Sequence, residues 1–213
     1  MVLSQSLIKE DYNRKIIRKK YNGINSYKWL LSPILQLFYP FAALSKSRLE
    51  RELNFLNSDN EIRKPKVYSF DIYNKELNRE YIEGNVDYCD GSKIGKLLSD
   101  IHREGYSLGD SKIDNFICGP ESAYIVDSEQ AIKTDKKRYR YWDVSLLILS
   151  AAYYNYSDKT GFKRFLDGFS TEYIYWQDYQ KRAVKGMYTL LFMFMPTQHI
   201  YSLKDALLKK PAK

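Results

Sequence analysis

A predicted hairpin, flanked by polar residues in a particular sequence order, constrains the fold of this chain of 213 residues more than any other feature. Residues 102–117 predict a helix that ends at Gly105, followed by a loop that presents Asp110 and Asn115. The next apolar stretch turns at a Gly-Pro pair, and its second strand ends at Asp127. Because a hairpin returns the chain to where it began, we expect the two carboxylates and the amide to lie close together.

These three side chains suit the transfer of a phosphoryl group. Magnesium prefers oxygen ligands, so the Asn115 amide and the Asp127 carboxylate are the predicted metal ligands. Asp110, held off the metal, can accept a hydrogen bond from the hydroxyl group that receives the phosphoryl group. The alternative is that both aspartates are ordinary turn and strand-end residues, because D-x-x-x-x-N alone is a weak pattern. The ordered succession of helix, loop, hairpin and aspartate favours the site.

A lysine upstream is the predicted phosphate ligand. Residues 15–21 predict a strand, and alternation places Ile17, Lys19 and Tyr21 on one face. Lys19 among apolar neighbours is the first candidate, and the adjacent Lys20 is the second. The alternative is a basic edge strand, in which lysines oppose aggregation.

A glutamate on a predicted helix is the expected partner of that lysine. Residues 47–56 predict a helix whose apolar stripe contains Leu49, Leu53 and Leu56, and Glu52 falls on the same stripe. A buried charge is costly unless it is paired, so a strand lysine is the favoured partner. The alternative is that Glu52 lies at the edge of the stripe and pairs with Arg48 or another exposed base.

Further elements frame the site. Residues 65–71 and 77–82 predict two strands, and residues 92–102 predict an amphipathic helix with Ser92 as its cap. Residues 141–149 begin a strongly apolar helix, near whose start Asp143 can cap the helix, accept hydrogen bonds from the loop that carries Asp110, or do both.

Composition bounds the fold and the partners. A length of 213 residues with 44% hydrophobic residues supports one two-lobed domain or one large single domain. Cys89 and Cys118 have no metal-binding spacing, so we expect neither a disulfide framework nor zinc, and Cys118 is predicted to be a core residue. His102 is expected to make a contact at a helix end rather than act as a base.

The formal net charge of +8 favours an anionic partner, namely ATP, nucleic acid such as RNA, or an anionic membrane surface. Bases cluster in residues 14–20, 133–140 and 209–213. The N-terminus lacks the apolar run of a signal peptide, and we expect a cytoplasmic protein without a transmembrane segment.

From residue 15 to residue 152, the chain resembles the eukaryotic-type protein-kinase superfamily. It is most similar to small atypical members: the RIO kinases, the kinase of the KEOPS tRNA-modification complex, and the lipopolysaccharide-core heptose kinases. The resemblance implies an α+β, two-lobed kinase-like fold with a reduced N-terminal sheet lobe and a mainly helical C-terminal lobe. Residues 1–213 would form a single domain, with a small lobe over about 1–84 and a large lobe over about 85–213.

The resemblance also implies a role for each matching residue. ATP and Mg²⁺ would be the cofactors, and the hinge between lobes would lie at Glu83, where the backbone binds adenine. Lys19 would be the phosphate-anchoring lysine and Glu52 its partner. Asp110 would be the catalytic aspartate, Asn115 the loop asparagine and Asp127 the metal-binding aspartate. Asp143 would be the buried aspartate of the central helix.

Departures from the kinase pattern favour the atypical kinases. No glycine precedes Gly23, so a glycine-rich loop over the phosphates is missing. Residues 108–110 read Leu-Gly-Asp instead of His-Arg-Asp, and residues 127–129 read Asp-Ser-Glu instead of Asp-Phe-Gly. The linker between Lys19 and Glu52 is long and contains the apolar stretch 29–44.

These observations predict an ATP- and magnesium-dependent phosphotransferase, with a serine or threonine of a protein as the expected acceptor. A sugar or lipopolysaccharide-type hydroxyl is the variant that the similarity to heptose kinases suggests. The alternative is an inactive kinase-like scaffold whose basic surface binds RNA or a protein partner.

Overall fold

The structure is a computed structural model, and it describes residues 6–11, 14–21, 35–183 and 189–209. It has an α+β fold, with a small sheet lobe followed by a mainly helical lobe, which confirms the predicted fold class. The sheet is antiparallel, and its strand order is β1-β2-β4-β3. Its strands are β1 (Ser6–Asp11), β2 (Arg14–Lys20), β3 (Val67–Asp71) and β4 (Glu76–Glu80).

Helix α1 (Ser45–Leu56) connects β2 to β3 and carries the predicted apolar stripe. Leu49, Leu53 and Leu56 are buried, and Glu52 is buried on the same face. Burial of three leucines offsets the cost of ordering the helix. The face that the helix turns inward therefore delivers one carboxylate into the protein interior.

Helix α2 (Gly91–Arg103) starts one residue earlier than the sequence predicted. Its cap is Asp90, which accepts a hydrogen bond from the N–H of Lys93 at 2.8 Å. The prediction that Ser92 caps this helix is wrong, because a cap needs extended backbone just outside the helix and Ser92 lies within the first turn. Gly105 ends the helical region with a φ of +75°, as its predicted position required.

Four more helices complete the helical lobe within residues 137–183 and 197–209, and one further short helix lies at residues 189–192. A Cβ on Gly91 would lie 1.8 Å from the carbonyl oxygen of Phe165, so α2 approaches its neighbour α4 too closely for any larger residue. The helices are α3 (Lys137–Tyr154), α4 (Lys159–Glu172), α5 (Trp176–Ala183), α6 (Thr189–Phe192) and α7 (Thr197–Leu208).

Two short antiparallel pairs lie between α2 and α3. Strand β5 (Tyr106–Ser107) pairs with β8 (Ile132–Lys133), and β6 (Phe116–Cys118) pairs with β7 (Ala123–Ile125). The second pair is the predicted hairpin. Because β5 and β8 close the segment at its base, the loops before β6 and after β7 are held side by side.

Cys89 and Cys118 form a disulfide bond, so the expectation of no disulfide is wrong. Asn85 and Cys118 exchange backbone hydrogen bonds of 3.1 and 3.3 Å, which draws the segment after β4 against β6. The two cysteine Cα atoms lie 5.1 Å apart as a result, within the range for a disulfide. Their separation of 29 residues gave no local sign of this pairing.

Among the described residues, none of the helices combines the length and the apolar character needed to cross a bilayer. Most of the predicted basic tail, residues 210–213, and much of the apolar stretch 29–44, residues 29–34, lie outside the described residues.

Candidate active site

A buried ion-pair cluster joins strand β2, helix α1 and the segment after β7. The Lys19 ammonium lies 2.7 Å from a carboxylate oxygen of Glu52 and 2.9 Å from one of Asp127. Lys19 and Glu52 are buried, whereas 35% of the Asp127 side chain is exposed. The Tyr21 hydroxyl also donates a hydrogen bond to Glu52. The glutamate on the apolar face of α1 thus has the charged partner that its burial requires.

The bases that were alternatives pair with other carboxylates. Lys20 is exposed, and its ammonium lies 3.0 Å from Glu76. Arg48 is buried, and its guanidinium lies 3.1 Å from Glu129. The structure therefore places Lys19, rather than Lys20, at the inner carboxylates.

Mutual attraction keeps Lys19 and Asp127 charged. Burial acts to lower the pKa of Lys19, but Asp127 and Glu52 outweigh it and raise that pKa well above its usual value. Burial acts to raise the pKa of Asp127, but the nearby Lys19 lowers that pKa below its usual value. Burial raises the pKa of Glu129. At neutral pH, Lys19 is therefore a cation and Asp127 an anion.

Backbone contacts bring Asp110 and Asn115 to the hairpin that carries Asp127. The Asn115 amide donates a hydrogen bond to the carbonyl oxygen of Asp110 at 2.5 Å. The N–H of Val126 donates to the carbonyl oxygen of Asn115 at 2.9 Å. The Lys112 ammonium lies 2.7 Å from the Asp110 carboxylate. These contacts and the ion-pair cluster gather five of the predicted site residues, namely Lys19, Glu52, Asp110, Asn115 and Asp127.

Glu83 lies apart from these five residues. It is exposed in the connection between β4 and α2, where the chain passes from the sheet lobe to the helical lobe. Within the described chain, no hydrogen bond or ion pair joins it to the other site residues. Next to it, Gly84 has a φ of +154°, and a Cβ there would lie 2.6 Å from the carbonyl oxygen of Cys118.

Asp143 holds the loop that carries Asp110. Its carboxylate accepts hydrogen bonds from the N–H groups of Leu108 and Gly109, each at 2.7 Å, and from the Ser107 hydroxyl at 2.6 Å. The His102 ring lies 3.1 Å from the same carboxylate. Asp143 lies beyond the first turn of α3 and does not cap it, so the capping alternative is wrong and the loop-binding one is confirmed. His102 makes a contact at the end of α2, as expected.

A segment from the linker between β2 and α1 also supports this loop. The Tyr39 hydroxyl donates to the carbonyl oxygens of Ser107 and Gln130, both at 2.8 Å. The Gln130 amide bonds to the backbone of Ala42 in both directions, at 2.7 and 3.1 Å. The Tyr39 ring lies against Gly109, where a Cβ would come within 2.2 Å of it. Residues 39–42 therefore join the loop that precedes Asp110 to the segment that contains Gln130.

Sequence reasoning missed several residues around the site. Lys112 had a visible signal, because it stands two positions after Asp110 in the same loop. Glu129 had a weaker one, as an acidic residue two positions after Asp127. Tyr39, Gln130 and the Arg48–Glu129 pair had none, since their partners are distant in the chain and chemically ordinary.

The residues present fit a divalent cation. Ligand atoms of Glu52, Asp127 and Glu129 lie within 4.8 Å of one another. Oε1 of Glu52 and Oε2 of Glu129 are buried and accept no hydrogen bond among the described residues, although they lie 4.0 Å from Arg79 and 3.5 Å from Lys19 respectively. Because Asn115 donates its Nδ2 to a carbonyl oxygen, its amide oxygen is the group left to act as a ligand. A donor set of carboxylate and amide oxygens suits magnesium.

Comparison with known proteins finds distant similarities. No protein-family model matches the chain. A probable bifunctional tRNA threonylcarbamoyladenosine biosynthesis protein from Methanococcus vannielii is 30% identical over 92 residues, which cover 38% of this chain and 16% of that protein. The chain thus spans a small part of this relative.

Two solved structures are also similar. WaaP in complex with acyl carrier protein has a TM-score of 0.44 and 13% identity, covering 98% of this chain and 88% of that one. The complex of Rv3197 with erythromycin, from Mycobacterium tuberculosis, has a TM-score of 0.40 and 17% identity, covering 74% and 50%.

Proposed function

We propose that this chain is an ATP- and magnesium-dependent phosphotransferase whose acceptor is a hydroxyl group, with a protein serine or threonine as the expected acceptor. One observation carries the proposal. A buried lysine contacts both a buried glutamate, at 2.7 Å, and an aspartate, at 2.9 Å, that a hairpin holds beside Asn115. That arrangement provides a cation for phosphate and oxygen ligands for a metal in one place.

The sheet lobe supplies the phosphate contact. Glu52 holds the Lys19 ammonium in place, and Lys19 binds phosphate oxygens of ATP. Asp127 and Asn115 would hold magnesium, which neutralises phosphate charge when it is bound. The backbone beside Glu83 would bind adenine at the passage between the lobes.

The loop supplies the contact with the acceptor. Asp110 accepts a hydrogen bond from the acceptor hydroxyl and so orients its oxygen toward the phosphoryl group. Asp143 keeps this loop fixed through its bonds to the two preceding N–H groups. A saccharide hydroxyl is the variant acceptor, since Asp110 can orient any alcohol by the same bond. Parallel assays with protein and saccharide acceptors distinguish the two.

An inactive scaffold that binds RNA is the second candidate. The observation in its favour is that residues 1–22 contain no glycine, so the sequence offers no glycine-rich cover for phosphates. Salt-sensitive RNA binding without affinity for magnesium and ATP would support this candidate.

Thermal unfolding with ATP, with and without magnesium, tests the nucleotide site. Ligand at a hundred times its dissociation constant stabilises a fold by about 2.7 kcal/mol. We expect a magnesium-dependent stabilisation in the wild type, none in Asp127→Ala, and the wild-type response in the matched control Asp135→Ala, since Asp135 is exposed outside the cluster. The absence of any shift at millimolar ATP would contradict the proposal.

Asp110→Asn tests the acceptor contact. The amide keeps the shape of the side chain but loses the charge that receives the hydroxyl proton. We expect loss of phosphoryl transfer with an unchanged magnesium–ATP shift. Transfer at the wild-type rate would mean that Asp110 does not orient the acceptor.

A further inference from the structure

A groove runs from the loop that carries Asp110 across the surface of the helical lobe. It consists of two adjoining depressions of about 290 and 410 Å³ that share Ile113 and Tyr154. Lys112, whose ammonium lies 2.7 Å from the Asp110 carboxylate, lines the near end of the first depression. The groove therefore begins one side chain away from Asp110, the residue to which the proposed function assigns the acceptor hydroxyl.

The near half of this acceptor groove is apolar. Its lining includes Leu146, Leu149 and Tyr153 from helix α3, together with Ile113 from the loop. Tyr153 is exposed, so an apolar group that entered the groove would remove part of this surface from water.

The far half is acidic, on a molecule whose formal net charge is +8. Asp87, Asp90 and Asp158 line it, and each is exposed. Along the whole groove, counting Asp114 of the near half, aspartates outnumber the bases, which are Lys112 and Arg164. Lys112 already pairs with Asp110. The local field therefore attracts a cation, in contrast to the rest of the charge distribution.

We propose that the acceptor groove binds a peptide that carries an apolar side chain and a basic side chain near its serine or threonine. The inference rests on the proposed function and names the class of its acceptor. The apolar side chain lies on α3, the basic one reaches the aspartates of the far half, and the hydroxyl lies at Asp110. An anionic lipid headgroup would instead face the same aspartates and be repelled.

Direct binding tests the groove without requiring catalysis. The probe is a short fluorescein-labelled peptide that contains a serine, leucines and arginines, and its partner has glutamates in place of the arginines. Fluorescence anisotropy with the full chain gives both dissociation constants. We expect the arginine peptide to bind and the glutamate peptide to bind more weakly. Equal binding of the two peptides, or no binding of the arginine peptide, would overturn the proposal.

A matched pair of triple variants locates the binding. The groove variant combines D87N, D90N and D158N. Asparagine still caps helices, so the hydrogen bonds that positions 90 and 158 accept from the N–H groups of Lys93 and Gly161 can persist. The control variant combines three exposed aspartates that do not line either depression, as D59N, D135N and D205N. Both variants change the net charge equally.

We expect the groove variant to bind the arginine peptide roughly tenfold more weakly, since three exposed charge contacts are lost. The control variant should bind it like the wild type. Equal weakening in both variants would show attraction to overall charge and would overturn the groove assignment. The magnesium–ATP thermal shift, measured on the same samples, separates this proposal from the proposed function. Peptide binding through the groove without that shift would leave the groove as a peptide site and remove the phosphotransferase.

Discussion

At the scale of single residues, Lys19 is surrounded by three carboxylates that differ in burial and in distance from its ammonium group. Glu52 is buried at 2.7 Å, Asp127 is partly exposed at 2.9 Å, and Glu129 lies at 3.5 Å. Asp127, which is partly exposed, can exchange Lys19 for a ligand at little cost in free energy. Glu52 is buried, so losing Lys19 would leave its charge unpaired in the interior. Under the proposed function, this asymmetry would give Glu52 a positioning role and Asp127 a role facing the ligand.

The variant Glu52→Gln should therefore be strongly destabilising. Removing one member of a buried ion pair costs about 3 to 5 kcal/mol when the remaining charge has no other partner. Lys19 keeps Asp127 and Glu129, so we expect a smaller loss of about 2 kcal/mol. The matched control is Glu50→Gln on the same helix, whose exposed side chain lies 3.8 Å from Lys46 and should contribute less than about 0.5 kcal/mol. Urea denaturation measures both. Equal losses would show that the buried pair adds nothing beyond a surface pair.

Gly109→Ala should disturb the loop before Asp110. Gly109 has a φ of +73°, and an added Cβ would meet the Tyr39 ring at 2.2 Å. Backbone strain and the clash together should cost about 2 kcal/mol or more. Gly119→Ala is the control, since nothing lies within 4 Å of its Cβ position. Thermal unfolding should separate the two variants, and similar stabilities would contradict the close contact with Tyr39.

His102 makes stability depend on pH. Burial lowers the pKa of His102 below its usual value, and Asp143 only partly opposes this effect. The unfolded chain, with a pKa of about 6.5, thus binds more protons as the pH falls. The free energy of unfolding that neutral His102 contributes is fully present above a pH of about 6.5. As the pH falls below about 6.5, this free energy decreases by up to about 1.4 kcal/mol per pH unit. Urea denaturation between neutral and mildly acidic pH should show this slope, and His102→Gln should reduce it.

At the scale of elements, the disulfide ties the passage between the lobes to the hairpin. Cys89 follows that passage, and Cys118 ends β6, three residues after Asn115. Closing a loop of this length stabilises a fold by about 3 to 4 kcal/mol in the chain-entropy description.

Reduction should therefore lower the unfolding free energy by roughly that amount. A thiol reagent should detect no free thiol in the oxidised protein, in agreement with the pairing of both cysteines. The control combines Cys89→Ala with Cys118→Ala, which should be less stable than the oxidised wild type and insensitive to reductant. A wild type whose stability does not respond to reductant would contradict the bond.

Local patterns predicted the elements well because their causes are local. The apolar spacing of α1 and α2 and the hairpin before Asp127 depend on neighbours within a few residues. The contacts of Tyr39 with Gln130 span 91 residues, and the cysteine pair spans 29. No periodicity encodes such pairs, since each partner also has an ordinary local explanation. The linker that supports the loop could therefore be recognised only in three dimensions.

At the scale of the whole molecule, the sheet lobe and the helical lobe share buried polar contacts in addition to a continuous apolar core. They include the ion pairs of Lys19 with Asp127 and of Arg48 with Glu129, the bonds of Tyr39 and Ala42, and a bond of 2.7 Å from Arg79 to the carbonyl oxygen of Val126. Opening either lobe alone would leave buried charges without partners, which is costly.

Residues 1–213 should consequently unfold as one cooperative unit. Trp142 and Trp176 belong to the helical lobe, so the variant Trp29→Phe is used to leave tryptophan fluorescence to that lobe alone, while far-ultraviolet circular dichroism follows both lobes. If the lobes are coupled, urea transitions measured by tryptophan fluorescence and by circular dichroism should coincide. Gln130→Ala, which removes both bonds to Ala42, should lower the common midpoint without separating the transitions. Two resolved transitions in the Trp29→Phe protein would instead mean that the sheet lobe opens independently, and that the site is completed only when the lobes meet.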